Sequence, residues 1–205
     1  YLAYNREPNL MVSLQLRALL LETLDSQLIE SDVLNGAFVI NDQLFDHILC
    51  IPIWNGRFKQ TQVMNPKVKH QLDAIGKRPI NTDWLEVLGS FDYLSTEGTM
   101  VALMTNSALT SSQNQAIRSY FVDHGYIQTV IELPDSLSEF TRIPLYAVVL
   151  SHNNDEIKFI DASESYIQER RYKNIDLDRL KTLISDNTEN SCVVNRSKVC
   201  EEEYN

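Results

Sequence analysis

A ten-residue run at positions 45–54, Phe-Asp-His-Ile-Leu-Cys-Ile-Pro-Ile-Trp, constrains the fold of this chain more than any other stretch. An apolar run of strand length that stops at a proline is typical of a strand buried in a parallel sheet. In open α/β sheets, ligands bind beyond the carboxyl ends of such strands. We therefore expect Pro52, Ile53 and Trp54 to lie at the functional edge of a sheet.

Strands and helices are predicted to alternate along the rest of the chain. The apolar periodicity predicts strands at 1–4, 27–30, 45–51, 99–104, 126–133, 144–151 and 157–160, and helices at 10–24, 83–94, 111–124 and 176–185. It leaves a turn at 95–98 and a loop at 134–142. The last two strands are separated by a short polar segment, which predicts an antiparallel hairpin.

This alternation predicts a three-layer, Rossmann-like α/β fold with strand 45–51 at its centre. Its sheet is mostly parallel and ends in an antiparallel hairpin at the edge. We assign residues 1–165 to this domain and the polar, weakly patterned residues 166–205 to a C-terminal extension packed on it.

The amino-acid composition excludes several classes of function. A formal net charge of −10 argues against phosphate binding by this chain alone, because affinity for DNA depends on basic side chains. No stretch is long and apolar enough to span a membrane, and the first residues do not resemble a secretion signal, so we expect a cytoplasmic protein. The three cysteines are widely spaced, no pair has the Cys-x-x-Cys spacing of a zinc or redox site, and a reducing cytoplasm fits them.

Residues 45–54 resemble the strand and catalytic loop of N6-adenine DNA methyltransferases, which usually read Phe-Asp-x-Ile-x-x-Asn-Pro-Pro-Phe. Other short segments resemble, in the same order, the modification (M) subunit of type I restriction–modification systems; they are 98–106, 117–125, 130–134, 143–144, 148–151, 159–163 and 201–205. The resemblance therefore extends over nearly the whole chain.

The resemblance implies transfer of a methyl group from S-adenosylmethionine to the exocyclic N6 of an adenine that is flipped out of the duplex. In that family the loop asparagine and the first proline carbonyl accept hydrogen bonds from the amino group, and the final aromatic ring stacks on the base. The resemblance also implies specificity and restriction subunits and DNA as partners.

The matching positions in this chain are Ile51, Pro52, Ile53 and Trp54. The first proline and the aromatic residue are kept, but an isoleucine at position 51 has no hydrogen-bond acceptor in its side chain. Loss of a directed polar contact of this kind lowers a rate by about 10²–10³-fold. We therefore predict that this chain does not catalyse methyl transfer.

The cofactor motifs match less well. The family's glycine-rich loop and the strand before it are expected ahead of residues 1–4, and they are missing from this sequence, which does not begin with methionine and which we interpret as truncated. Tyr4 and Asn5 stand where an acidic residue that binds the ribose is expected. Asp32 matches the family's acidic position near the cofactor adenine, although an ordinary loop aspartate is the alternative interpretation.

Two functional hypotheses follow. The chain is part of an adenine methyltransferase whose cofactor loop was lost by truncation, or it is a non-catalytic, methyltransferase-like scaffold or protein-interaction module. Truncation explains a missing glycine loop but not the changes at Ile51 and Ile53, so the chemistry favours the second hypothesis. For Trp54, a hydrophobic anchor and a platform on which a base stacks both stay open. For Arg57 and Lys59, a solvated loop is favoured over contacts with DNA phosphates.

Overall fold

The computed structural model describes residues 2–5, 27–30, 33–34, 43–56, 65–76, 81–137, 143–169, 172–186 and 188–201, with residues 2–5 and 27–30 described by their backbone. Its strands are β1 Leu2–Asn5, β2 Gln27–Glu30, β3 Phe45–Cys50, β4 Leu94–Thr105, β5 Ile127–Glu132, β6 Leu145–Leu150, β7 Glu156–Asp161, β8 Tyr166–Glu169, β9 Tyr172–Ile175 and β10 Ser191–Asn195. Its α-helices are α1 Pro66–Ile75, α2 Thr82–Phe91, α3 Asn106–Thr110, α4 Gln115–Asp123, α5 Leu177–Ser185 and α6 Arg196–Glu201, and a 3-10 turn at Ser112–Asn114 leads into α4.

The main sheet has six strands in the order β10-β7-β5-β6-β4-β3. Strands β3 and β4 are parallel, as are β5 and β7, whereas β6 runs antiparallel to both β4 and β5. Strands β3, β4, β5 and β7 therefore run in one direction, whereas β6 and β10 run in the other. The prediction of an α/β sheet that is mostly parallel in strand direction is confirmed. Strand β3 lies at one end of this six-stranded order rather than at the centre, so its predicted central position is wrong for the strands that the structure describes.

The predicted hairpin between β6 and β7 is wrong, because β5 lies between these two strands. The connecting segment does not close on itself but crosses the start of β5. There the Ser151 amide donates to the Tyr126 carbonyl at 3.0 Å, and the Asn154 amide donates to the Gly125 carbonyl at 2.9 Å. These contacts carry the chain past β5, so that β7 pairs with it in parallel. The hairpin was predicted from the short polar segment between the two strands, and the length of that segment does not distinguish a tight turn from a crossing.

Several predicted strands and helices are confirmed, and one predicted turn is wrong. The predicted strands near residues 1–4 and 27–30 form a parallel pair, and the helices predicted at 83–94, 111–124 and 176–185 correspond to α2, α4 and α5. The predicted turn at 95–98 is wrong, because β4 already begins at Leu94 and accommodates these residues with a register shift against β3. The predicted helix 10–24 lies outside the described residues.

The two faces of the sheet carry separate apolar clusters, which accounts for three layers. Met100, Ala102 and Met104 of β4 pack with buried side chains of α1, α2 and α4, whereas Val101 and Leu103 point into the cluster on the opposite face, where α5 contributes Leu183. Successive side chains of a strand point to opposite faces, so one strand serves both clusters.

The C-terminal segment takes part in this architecture. Strand β10 pairs antiparallel with β7 and forms the other end of the sheet, and β8 and β9 form a separate antiparallel hairpin. The boundary at residues 165 and 166 between a domain and an extension stays a prediction.

Candidate functional site

The segment 51–56 follows β3 at the carboxyl end of the parallel strands, where the sequence placed it. Its apolar side chains differ in exposure: Ile51 is 60% exposed and Ile53 39%, whereas Pro52 is buried and Trp54 half-buried. We call residues 51–56 the β3 loop. It presents isoleucine side chains to solvent at the edge where ligands of α/β sheets bind.

The first turns of helix α2 hold the backbone of the β3 loop. The Ile53 carbonyl accepts a hydrogen bond from Thr82 Oγ1 at 2.7 Å, and the Gly56 carbonyl accepts one from the Thr82 amide at 2.9 Å. The Ile53 amide donates to Glu86 Oε2 at 3.2 Å. A Cβ atom on Gly56 would collide with Thr82 Oγ1, so the helix and the loop lie as close as the backbone allows.

Asn55 adopts a left-handed backbone conformation with φ 54°. This conformation is uncommon for residues other than glycine, although asparagine tolerates it better than most. Its amide donates to Asp83 Oδ1 at 2.9 Å, and its side-chain oxygen accepts a hydrogen bond from Ser107 Oγ at 2.9 Å. Contacts from α2 and from the start of α3 thus fix one residue of the loop from two sides.

Asp83 lies beneath the loop and is fully buried, with 0% of the residue exposed. Its Oδ1 accepts the Asn55 amide, but its Oδ2 is buried without a hydrogen-bond partner among the described residues. Burial raises the pKa of this carboxyl group, and the hydrogen bonds from the Asp83 and Asn55 amides oppose the increase. A buried carboxylate with one unsatisfied oxygen is energetically costly.

Trp54 is anchored by its indole N–H, which donates to the Leu103 carbonyl of β4 at 2.9 Å. A tryptophan ring with a fixed N–H and a half-buried position is a structural anchor. The structure therefore supports the anchor interpretation of this residue. Stacking of a base on Trp54 stays a prediction.

Most of the remaining predicted site residues are not among those that the structure describes. Asp32, Arg57 and Lys59 lie outside the described residues, and of Tyr4 only the backbone is described, in β1. Asp46 accepts a hydrogen bond from Ser95 Oγ at 2.8 Å, which is a contact between β3 and β4.

The described part of the chain contains neither a glycine cluster nor a metal-binding group. Its glycines, among them Gly56, Gly76, Gly89 and Gly98, are spread along the sequence. No metal-binding group of histidine, cysteine and acidic side chains forms within the described ranges. Burial, with a smaller contribution from Glu86, raises the pKa of the Cys50 thiol to about 12, so this cysteine is not a nucleophile near neutral pH.

Sequence reasoning missed the residues that hold the loop. Asp83 is 28 residues from Asn55, and Glu86 is 33 residues from Ile53. The only local signal was the Asn-Thr-Asp sequence at 81–83, which is typical of a helix start and is explained by that role alone. The contact with the loop is tertiary and has no sequence pattern of its own.

Together with this geometry, comparison with known proteins identifies the protein family to which the chain belongs. The N-6 DNA methylase family matches residues 11–205, and the chain belongs to this family.

Individual relatives point in the same direction. The chain is 32% identical over 123 residues to the methylase subunit of the type I restriction enzyme MpnII from Mycoplasma pneumoniae, which covers 58% of this chain and 22% of that protein. The crystal structure of a type I restriction–modification methyltransferase subunit from Streptococcus thermophilus superposes with a TM-score of 0.85 at 20% identity, covering 100% of this chain and 47% of that one.

A putative class I S-adenosylmethionine-dependent methyltransferase from Listeria monocytogenes shares the fold with a TM-score of 0.63 at 14% identity, covering 89% of this chain and 54% of that one. The chain thus belongs to the N-6 DNA methylase family and has a methyltransferase fold, and the proteins to which it is similar include subunits of type I restriction systems. It spans about a fifth of the curated relative and about half the length of the two solved structures. No helix in the described ranges is long and apolar enough to cross a membrane.

Proposed function

We propose that this chain serves as a non-catalytic, methyltransferase-like module of a type I modification subunit and does not itself transfer methyl groups. One observation carries this proposal: Ile51, at the position where the family has asparagine, exposes 60% of an apolar residue at the functional edge. In the family, the amino group of adenine receives the methyl group. It needs hydrogen-bond acceptors around it while its nitrogen attacks the methyl group.

The loop keeps only part of the acceptor set that the family resemblance implies. The Pro52 carbonyl remains, but Ile51 offers no acceptor, and the loss of one such contact lowers a rate by about 10²–10³-fold. The Ile53 amide, which a proline would lack, donates to Glu86 and so fixes the loop to α2. The loop is thus held to α2 by a contact that a proline at position 53 could not make, and its side chain at position 51 offers no acceptor.

The partners implied by this proposal are proteins and, through them, DNA. Specificity and restriction subunits are what the family resemblance implies. The formal net charge of −10 indicates that any contact with DNA depends on a more basic partner subunit.

Calorimetric titration of S-adenosylmethionine into the 205-residue chain tests the cofactor part of this proposal. We expect no heat of binding from a sample whose folding is verified by circular dichroism and a cooperative urea transition. Binding at micromolar affinity would overturn the expectation and would require ligands outside the described residues.

A methyl-transfer assay tests the chemical part separately. Duplex DNA and labelled S-adenosylmethionine are incubated with the chain, and N6-methyladenine is measured after nucleoside digestion. We expect no product above the protein-free background. Product formation would make the chain an adenine methyltransferase despite Ile51.

A further inference from the structure

The β3 loop owes its conformation to a side chain of another element. We propose that Asp83 is a positioning residue that fixes Asn55 and thereby the surface that Ile51, Ile53 and Trp54 present at the edge of the sheet. The inference goes beyond the proposed function, because it holds whether or not a methyl group is transferred.

The first argument is the environment of Asp83. A fully buried aspartate whose Oδ1 accepts the Asn55 amide leaves its Oδ2 without a partner among the described residues. A side chain selected only for stability would not be a carboxylate at this position, because burying it with half of its acceptors unused is unfavourable. Besides its own backbone amide, the donor from which this carboxylate accepts a hydrogen bond in the described structure is the Asn55 amide of the loop.

The second argument is the backbone of Asn55, which is independent of the first. Its φ of 54° is an unfavourable conformation that persists only where surrounding contacts hold it. Asp83 holds its amide and Ser107 holds its side chain, while Thr82 bonds to the neighbouring Gly56 carbonyl. Contacts within the chain thus account for the conformation of this part of the loop.

A simpler role for Asp83 makes a different prediction. Acidic residues in the first turn of a helix stabilise the helix through its dipole, and Asp83 is in the first turn of α2. If this were its whole role, removing the carboxylate would weaken the amide protection of α2 and leave the loop no more affected than the helix.

Amide hydrogen exchange measured by NMR on the whole chain separates the two roles. In Asp83→Ala, we expect the protection of the Asn55 amide to fall by about tenfold, the effect of one hydrogen bond, while the amides of Val87 and Leu88 in α2 change by less than about twofold. In Asp83→Asn, the side-chain oxygen still accepts, so Asn55 should keep its protection within about threefold.

Asp92→Asn is the matched control. Asp92 follows the other end of α2, also carries a carboxyl group whose pKa is raised by burial, and accepts a hydrogen bond from Gln71 rather than from the loop. We expect this variant to leave the protection of Asn55 and the Trp54 indole N–H unchanged.

Equal protection of Asn55 in the wild type and in Asp83→Ala would overturn the proposal, and so would a uniform loss across α2. If the alanine variant does not fold, Asp83→Ser is used, since serine suits the start of a helix but is too short to reach the loop. If neither the Asp83→Ala nor the Asp83→Ser variant folds, Asp83 is required for folding itself, and the positioning role is overturned. The experiment uses no cofactor or DNA, so its failure is distinct from a failure of the proposed function.

Discussion

The Asp83 carboxyl group links protonation to stability at the scale of a single residue. Burial raises its pKa above the ordinary 3.8, so the folded chain retains this proton at a pH where the unfolded chain has lost it. Stability from this group is therefore fully present below the unfolded pKa and is lost as the pH rises through the folded pKa. An asparagine at position 83 does not titrate.

We expect Asp83→Asn to become progressively more stable relative to the wild type as the pH is raised from about 4 to 7. Urea unfolding at several pH values measures the difference in the free energy of unfolding between the two chains. Taking this difference cancels the titration of every other group that both chains share. A difference that does not change with pH would contradict a raised pKa at Asp83.

Restoring the family residues in the β3 loop is predicted not to restore chemistry. Ile51→Asn together with Ile53→Pro returns a side-chain acceptor, but proline removes the amide that donates to Glu86 Oε2 at 3.2 Å. It also supplies no cofactor loop. We expect no incorporation of labelled methyl groups into adenine by this double variant, with the single variant Ile51→Asn as its control. Labelled adenine above the protein-free background would show that the loop alone was limiting.

At this scale the sequence predicted where the candidate site lies but not what holds it. The strand, the proline and the aromatic residue form a local pattern, and the structure has Ile51 and Trp54 directly after β3, as that pattern predicts; their role in a site stays a prediction. Asp83 was not predicted, because its role depends on how α2 packs against the loop. Asp32 lies outside the described residues, so its role stays a prediction.

At the scale of elements, the end of α4 depends on one glycine. The amide of Gly125 donates to the Val122 carbonyl, and the next amide, of Tyr126, donates to Phe121, which is the pattern of a Schellman motif. Gly125 has φ 66°, and a Cβ atom there would lie 2.7 Å from the Asn154 carbonyl oxygen. The sequence correctly predicted this glycine as the helix cap, although the contact with Asn154 was not visible.

Gly125→Ala should lower the free energy of unfolding by about 3 kcal/mol, combining left-handed strain with a steric overlap. Gly76→Ala is the matched control, because Gly76 ends α1 with φ 73° but has nothing within 4 Å of its Cβ position. We expect it to cost only about 1 kcal/mol, the strain alone. Urea unfolding of both variants measures the contrast, and equal losses would mean that the overlap at Asn154 is relieved without cost.

The carboxyl end of α5 is capped by a lysine from another strand. Lys158 Nζ of β7 donates to the Ile184 carbonyl at 2.8 Å and to the Asp186 carbonyl at 3.1 Å. A cation suits this end of a helix, where carbonyl groups lack partners within the helix.

We expect Lys158→Met to destabilise the chain by about 1 kcal/mol, because the methionine keeps the apolar stem and loses only the donor. Lys181→Met, on the exposed surface of the same helix, should have an effect within about 0.5 kcal/mol. Thermal or urea unfolding compares the two. A loss no greater at Lys158 than at Lys181 would show that solvent replaces the cap.

At the scale of the whole molecule, alternation of strands and helices was sufficient to predict the fold class. Strand order was not, because β6 inserts between β4 and β5 through contacts that are distant in sequence. Strand β10 was missed for a different reason: an edge strand with exposed Cys192 and Val193 carries little of the apolar signal that marks buried strands. Patterns that reflect burial thus predict the interior of the sheet better than its edges.

Net charge is a property of the whole molecule and leads to a prediction about DNA. With Asp and Glu numbering 28 against 18 Lys and Arg, the chain repels phosphates on average, and non-specific binding requires their neutralisation. We expect fluorescence anisotropy with a labelled duplex to show no binding tighter than about 10⁻⁴ M at about 150 mM salt, the weak end of non-specific affinity. Lowering the salt to about 50 mM should change this little, since few cations on the protein replace counterions of the duplex. Micromolar binding with a steep dependence on salt would instead show a basic surface on this chain, and DNA recognition would then not depend on a partner subunit.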